Sequence, residues 1–122
     1  MTSYADVPLL DMTVVSELLE STGGDEAFLR DLVSTYVDEA LGLLDGMRDA
    51  IAADDPAAIV RPAHTLKSSS AAVGAMRLSS ICRDIEAAGR DGRADGLANG
   101  VDEANAAWTE TLPALRAAGL AA

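Results

Sequence analysis

The chain predicts an all-α fold, a single domain over residues 1–122 built as an up-down-up-down antiparallel four-helix bundle with an additional short N-terminal helix. Three observations predict it. Apolar residues recur at intervals of three and four along most of the sequence, the spacing that collects them on one side of a helix. Alanine dominates, only four prolines occur, and no Asn-Gly or Asp-Gly hairpin flanked by alternating β-branched residues is present, which removes the β classes. Breakers fall between the periodic stretches, at Thr22-Gly23-Gly24, Asp54-Asp55-Pro56 and Gly74. Helical hairpins with such short connections close most economically as an antiparallel bundle.

In chain order, residues 1–10, with Pro8 and few periodic positions, read as an arm. Asp11 is placed to cap a short helix over residues 11–21 that docks through Val14, Leu18 and Leu19. Asp25 caps the longest helix, running to about residue 53, with Leu29, Leu32, Val33, Tyr36, Val37, Ala40, Leu41, Leu44, Met47 and Ile51 at helical spacing. Phe28 falls at the edge of this stripe and is assigned to packing, an exposed aromatic that seats a partner being the other reading. Asp54-Asp55-Pro56 joins a cap to a first-turn proline and opens the third helix. Pro62 lies inside that helix, deprives the Ala58 carbonyl of its usual donor and favours a slight bend.

Gly74 ends the third helix as a left-handed cap. The next helix carries Leu78, Ile81, Cys82, Ile85 and Ala88 on one side, with Arg77, Arg83, Asp84 and Arg90 expected on solvated sides as surface ion pairs. A flexible stretch over residues 89–100 follows, then a last helix over about 94–118 with Leu97, Val101, Ala104, Trp108, Leu112 and Leu115 facing the core. Trp108 is expected to fill the bundle, and Pro113 to kink or nearly end the helix. The bundle proper thus spans about residues 25–118.

Composition narrows function. At 122 residues the chain builds one core and leaves no room for an ATP-binding catalytic domain beside it. Twenty Asp and Glu against nine Lys and Arg give a net charge of −11, which argues against nucleic acid as a partner because phosphate binding needs a basic patch. The lone Cys82 cannot form an internal disulfide and sits in an apolar stripe, so it reads as a small buried hydrophobe in a reducing compartment. No basic segment followed by a long apolar run opens the sequence, and no run of 18 apolar residues occurs. A cytoplasmic protein that does not span a membrane is expected.

The only histidine, His64, lies in the third helix. At about 100° per residue, Ile59, Ala63, Leu66, Ser70 and Val73 fall in a wedge of roughly 80°, an apolar stripe broken only by a serine. His64 projects about 140° from Ile59, on a face shared with Lys67 one turn later and with Ala57, Val60, Ser68 and Ala71. His64 is therefore expected to reach water, and the short side chains around it suit the approach of a broad protein surface. A neutral imidazole is a good nucleophile, and a lysine one turn away offsets charge on an incoming phosphoryl group. No glycine-rich phosphate loop and no metal-ligating cluster accompanies it.

The string from His64 onward resembles the histidine phosphotransfer (HPt) domains of multistep phosphorelays. Their usual core reads His-x-Leu-Lys-Gly, then small residues, an aliphatic residue and Gly-Ala, then Leu, Cys and Leu-Glu at helical spacing. His64, Leu66, Lys67, Ser69, Ser70, Val73, Gly74, Ala75, Leu78, Cys82, Ile85 and Glu86 stand in matching order. The clearest departure is Ser68, where many members carry glycine. The resemblance covers residues 25–115 loosely and 64–86 closely, and it implies the same four-helix architecture.

The resemblance further implies a covalent phosphocarrier rather than an enzyme. His64 would accept a phosphoryl group from a receiver-domain aspartate and pass it to another, with Lys67 as electrostatic helper and Val60, Ser68 and Ala71 on the docking face. No resident cofactor is implied, Mg²⁺ coming from the receiver. Partners would be response-regulator receiver domains and a hybrid or sensor histidine kinase, the chain itself acting as a monomer. The competing class is a helical interaction module that binds receiver or kinase domains without being phosphorylated. A sensor-kinase dimerisation helix, which would show an acidic residue after the histidine, then Leu-Arg and a following proline, is less consistent, since Thr65 and Lys67 occupy the tell-tale places.

Overall fold

The computed structural model describes residues 4–122. Five α-helices are present, with no strand among the described residues: α1 (Met12–Ser21), α2 (Glu26–Ala52), α3 (Val60–Ala72), α4 (Met76–Arg90) and α5 (Leu97–Ala117). A 3-10 turn, Pro56–Ile59, leads directly into α3. The four long helices form a closed ring, α2 on α3, α3 on α4, α4 on α5 and α5 back on α2, with the α3–α4 pair packed most extensively. This is the four-helix bundle, and α1 lies against α2 and the α3–α4 turn.

Local chemistry explains the element boundaries. Asp11 accepts a hydrogen bond from the Thr13 amide, and Asp25 from the Phe28 amide, each filling one of the free donors of a helix start. Gly74 adopts φ 84°, which lets Ala75 N–H reach the Ser70 carbonyl at 2.8 Å and its own N–H reach Ala71 at 3.2 Å, the double bond that closes a helix at a left-handed glycine. Of the segment read as an arm, residues 1–3 lie outside the described residues and the remainder is tied down: Arg77 donates to Val7 O at 2.8 Å, its backbone N–H donates to Pro8 O, and the Asp11 N–H donates to Gly74 O.

The inward stripe of α3 is buried as expected, Ile59, Ala63, Leu66 and Ser70 completely and Val73 nearly so. The serine in that stripe is explained by Tyr36, whose hydroxyl lies 2.8 Å from Ser70 Oγ. Each hydroxyl answers the other, so neither is a costly buried orphan. Tyr36 also meets Trp108 edge to face, ring centroids 5.7 Å apart. Burial pushes both the Tyr36 phenol and the Cys82 thiol up, the latter to about 12, so Cys82 is the small buried hydrophobe expected of it.

Several expectations are corrected. Pro62 sits in the first turn of α3, where its missing N–H has no helical role, and the chain accommodates it with the preceding 3-10 turn. Gly89 belongs to α4 and is buried: a Cβ there would lie 2.6 Å from Ile59 Cγ2 and 3.0 Å from the Pro56 carbonyl. The last helix starts at Leu97, after Gly96 at φ 80°, and runs through Pro113 to Ala117. Phe28, Leu32 and Leu41 are exposed on α2, because a helix of 27 residues carries apolar positions beyond the arc its neighbours cover. Arg77 is half-buried and anchors the N-terminal segment instead of lying free in solvent.

Candidate functional site

α3 presents His64 with its side chain 53% exposed, while Lys67, one turn on, is more enclosed at 30%. Across the α3–α4 interface α4 supplies Glu86, whose side chain is 8% exposed. The α3–α4 contact is held in register by Ser79, whose hydroxyl donates to the Lys67 carbonyl at 2.9 Å. Glu86 then meets three partners: His64 Nδ1 at 3.0 Å from Oε2, Lys67 Nζ at 2.6 Å from Oε1, and Arg90, Nε at 3.1 Å and Nη2 at 2.7 Å from Oε2.

One carboxylate thus organises three basic side chains. Its pKa is lowered to about 2, chiefly by the hydrogen bond to Lys67, against the opposing effect of burial and with further help from Arg90 and His64. The carboxylate is roofed by long cationic side chains rather than sunk in the apolar core, which is why the cations prevail. An ionised carboxylate only accepts hydrogen bonds, so the imidazole donates through Nδ1–H. In the neutral ring Nε2 then keeps its lone pair. The arrangement provides a half-exposed nitrogen nucleophile of fixed tautomer, with two permanent cations beside it.

The structure brings His64 and Lys67 to one site but gives Lys67 an ion-pair partner that spacing did not foresee. Of the expected docking face, Ser68 is exposed, and Val60 and Ala71 are half-buried beside it. Glu86 and Arg90 were the residues missed as a pair. Glu86 stands in the resemblance with no role; Arg90 lies on the solvated side of α4 in an ion pair, as expected, and its partner is Glu86. The signal was present: a Glu and an Arg at i and i+4 on α4. What sequence lacked was the rotation of α4 against α3.

Among the described residues no group of three or more His, Cys, Asp or Glu is placed to hold a metal ion, and no helix is long and apolar enough to cross a membrane.

Comparison with known proteins agrees with the helical-bundle fold. The family model described as the Hpt domain matches residues 31–118. Among solved structures, the histidine-containing phosphotransfer protein B of Pseudomonas aeruginosa PAO1 superposes with a TM-score of 0.79 at 24% identity, over 87% of this chain and 90% of that one. No curated protein sequence matches the chain significantly. The match to the family model spans well over half of the sequence, and the chain belongs to the Hpt family, the helical-bundle domains of histidine phosphotransfer in phosphorelays.

Proposed function

We propose that His64 is the phospho-accepting residue, taking a phosphoryl group from a receiver-domain aspartate and returning it to another. The observation that carries this reading is the fixed tautomer of the only histidine in the chain, half exposed beside Lys67. In the accepting step the Nε2 lone pair attacks phosphorus in line, a P–N bond forms, the acyl phosphate P–O bond breaks, and the aspartate leaves as carboxylate. The Nδ1 proton stays on the ring, held by Glu86.

Lys67 offsets charge on the transferring group, exchanging part of its ion pair with Glu86 for the phosphoryl oxygens. Glu86 and Arg90 act as positioning residues, the first orienting the ring and the second orienting the first. Mg²⁺ and most of the stabilisation of the transferring phosphoryl come from the receiver. Val60, Ser68 and Ala71 form the docking face, serine being small enough for close approach. The chain works as a cytoplasmic monomer with receiver domains and a hybrid or sensor kinase, without nucleic acid and without ATP chemistry of its own.

The test is transfer from phosphorylated receiver domains to the purified protein, reading acid-labile, base-stable label. Label on the wild type that disappears in His64→Ala supports the reading. Label that persists in the folded variant sinks it.

A further inference from the structure

Acidic residues are unevenly placed in this chain. Although Asp and Glu outnumber Lys and Arg by twenty to nine, residues 56–83 contain no acidic residue at all and carry Arg61, Lys67, Arg77 and Arg83. That acid-free stretch is the 3-10 turn, all of α3 and the first half of α4. Two of its cations are engaged locally: Arg77 bonds Val7 O and pairs with Glu110, and Arg83 pairs with its neighbour Asp84.

Arg61 differs from both. It is exposed, stands one turn before His64 on α3, and has no ion-pair partner among the described residues. With Lys67 one turn after His64 and Arg90 reaching in from α4, it sets three cations around the imidazole against a single carboxylate, Glu86. α2 shows the opposite balance, six acidic residues (Glu26, Asp31, Asp38, Glu39, Asp45, Asp49) against two arginines.

We propose that the His64 face is a positive docking island on an otherwise acidic protein, that it selects receivers whose surface around the phosphorylated aspartate is acidic, and that Arg61 is its specificity-determining residue. The inference rests on the carrier reading. Screening limits bare charges to about 8 Å at physiological ionic strength, so an acidic partner senses the island only near it. Over the other faces it meets like charge, which penalises misdocked encounters. Lys67 and Arg90 spend part of their charge on Glu86, which leaves Arg61 as the uncompensated cation at the rim.

The experiment measures transfer rates from a panel of phosphorylated receivers whose surfaces around the phospho-aspartate range from acidic to basic. Arg61→Glu and Arg61→Gln are compared with Arg116→Glu, which makes the same change in net charge on α5, a helix that does not neighbour α3 in the ring. Acidic-faced receivers should transfer fastest to the wild type. Arg61→Glu should slow them about tenfold at low ionic strength, with the loss in the half-saturating receiver concentration, Arg61→Gln should lose less, and Arg116→Glu should lose little. Equal slowing by the two Glu variants, or equal rates from acidic and basic receivers, overturns this inference and leaves the carrier reading standing. A wild-type protein that no receiver labels removes both.

Discussion

α3 takes part in two polar clusters less than two turns apart, and they are built on opposite plans. Inward, Ser70 and Tyr36 form a pair at 2.8 Å in which each hydroxyl is the other's partner, both nearly or wholly buried. Outward, His64, Lys67 and Arg90 crowd donors onto one carboxylate. The first cluster is buried, out of reach of any ligand in solvent. The second has donors in excess and an unprotonated ring nitrogen. A buried pair serves packing, whereas an unbalanced group at the surface serves chemistry.

Breaking each cluster separately sharpens the contrast. The largest effect is expected from His64→Ala, which should abolish labelling while shifting stability by no more than about 0.5 kcal/mol, since the side chain is a half-exposed surface group; calorimetry beside the transfer assay checks both. Gly89→Ala strikes the frame that carries both clusters, because its Cβ would sit 2.6 Å from Ile59 Cγ2. A loss of about 1–3 kcal/mol in denaturant unfolding is expected. Tyr36→Phe should cost about 1 kcal/mol and leave labelling intact; loss of labelling in a folded variant would show that the two clusters are coupled.

A further effect is expected in acid. Glu86 has its pKa lowered from 4.5 to about 2 in the folded chain. The unfolded state therefore binds its proton first as pH falls, so the stabilisation from this cluster is complete above the ordinary carboxylate range and is lost progressively down to about pH 2. Glu86→Gln should flatten stability against pH in that window, and Tyr36→Phe should not.

Sequence reasoning reached much of what depends on one helix at a time, though not the course of the last helix through Pro113. Asp11 and Asp25 cap as their side chains predict, Gly74 takes the left-handed geometry, and the stripe from Ile59 to Val73 is the buried face of α3. Features that need two helices at once escaped it. The Glu86 clamp depends on the rotation of α4 about its axis, Gly89 on the distance of closest approach to the 3-10 turn, and the partner of Ser70 on a tyrosine 34 residues away. Leu32 and Leu41 illustrate the same limit from the other side: periodicity marks them as apolar positions, but only the width of the neighbouring helices decides that they stay in water.

In the proposed reaction the hydrogen bond from His64 to Glu86 also has a consequence for protons. A ring that already holds its one proton on Nδ1 gains the phosphoryl on Nε2 without releasing anything to solvent, and becomes a cation facing a carboxylate that stays ionised down to about pH 2. The reverse step returns the ring to neutrality with the same proton in the same place. Loading and unloading are then symmetrical in protons, and a carrier of this kind has no built-in preference, from acid–base chemistry, for the direction in which it is used.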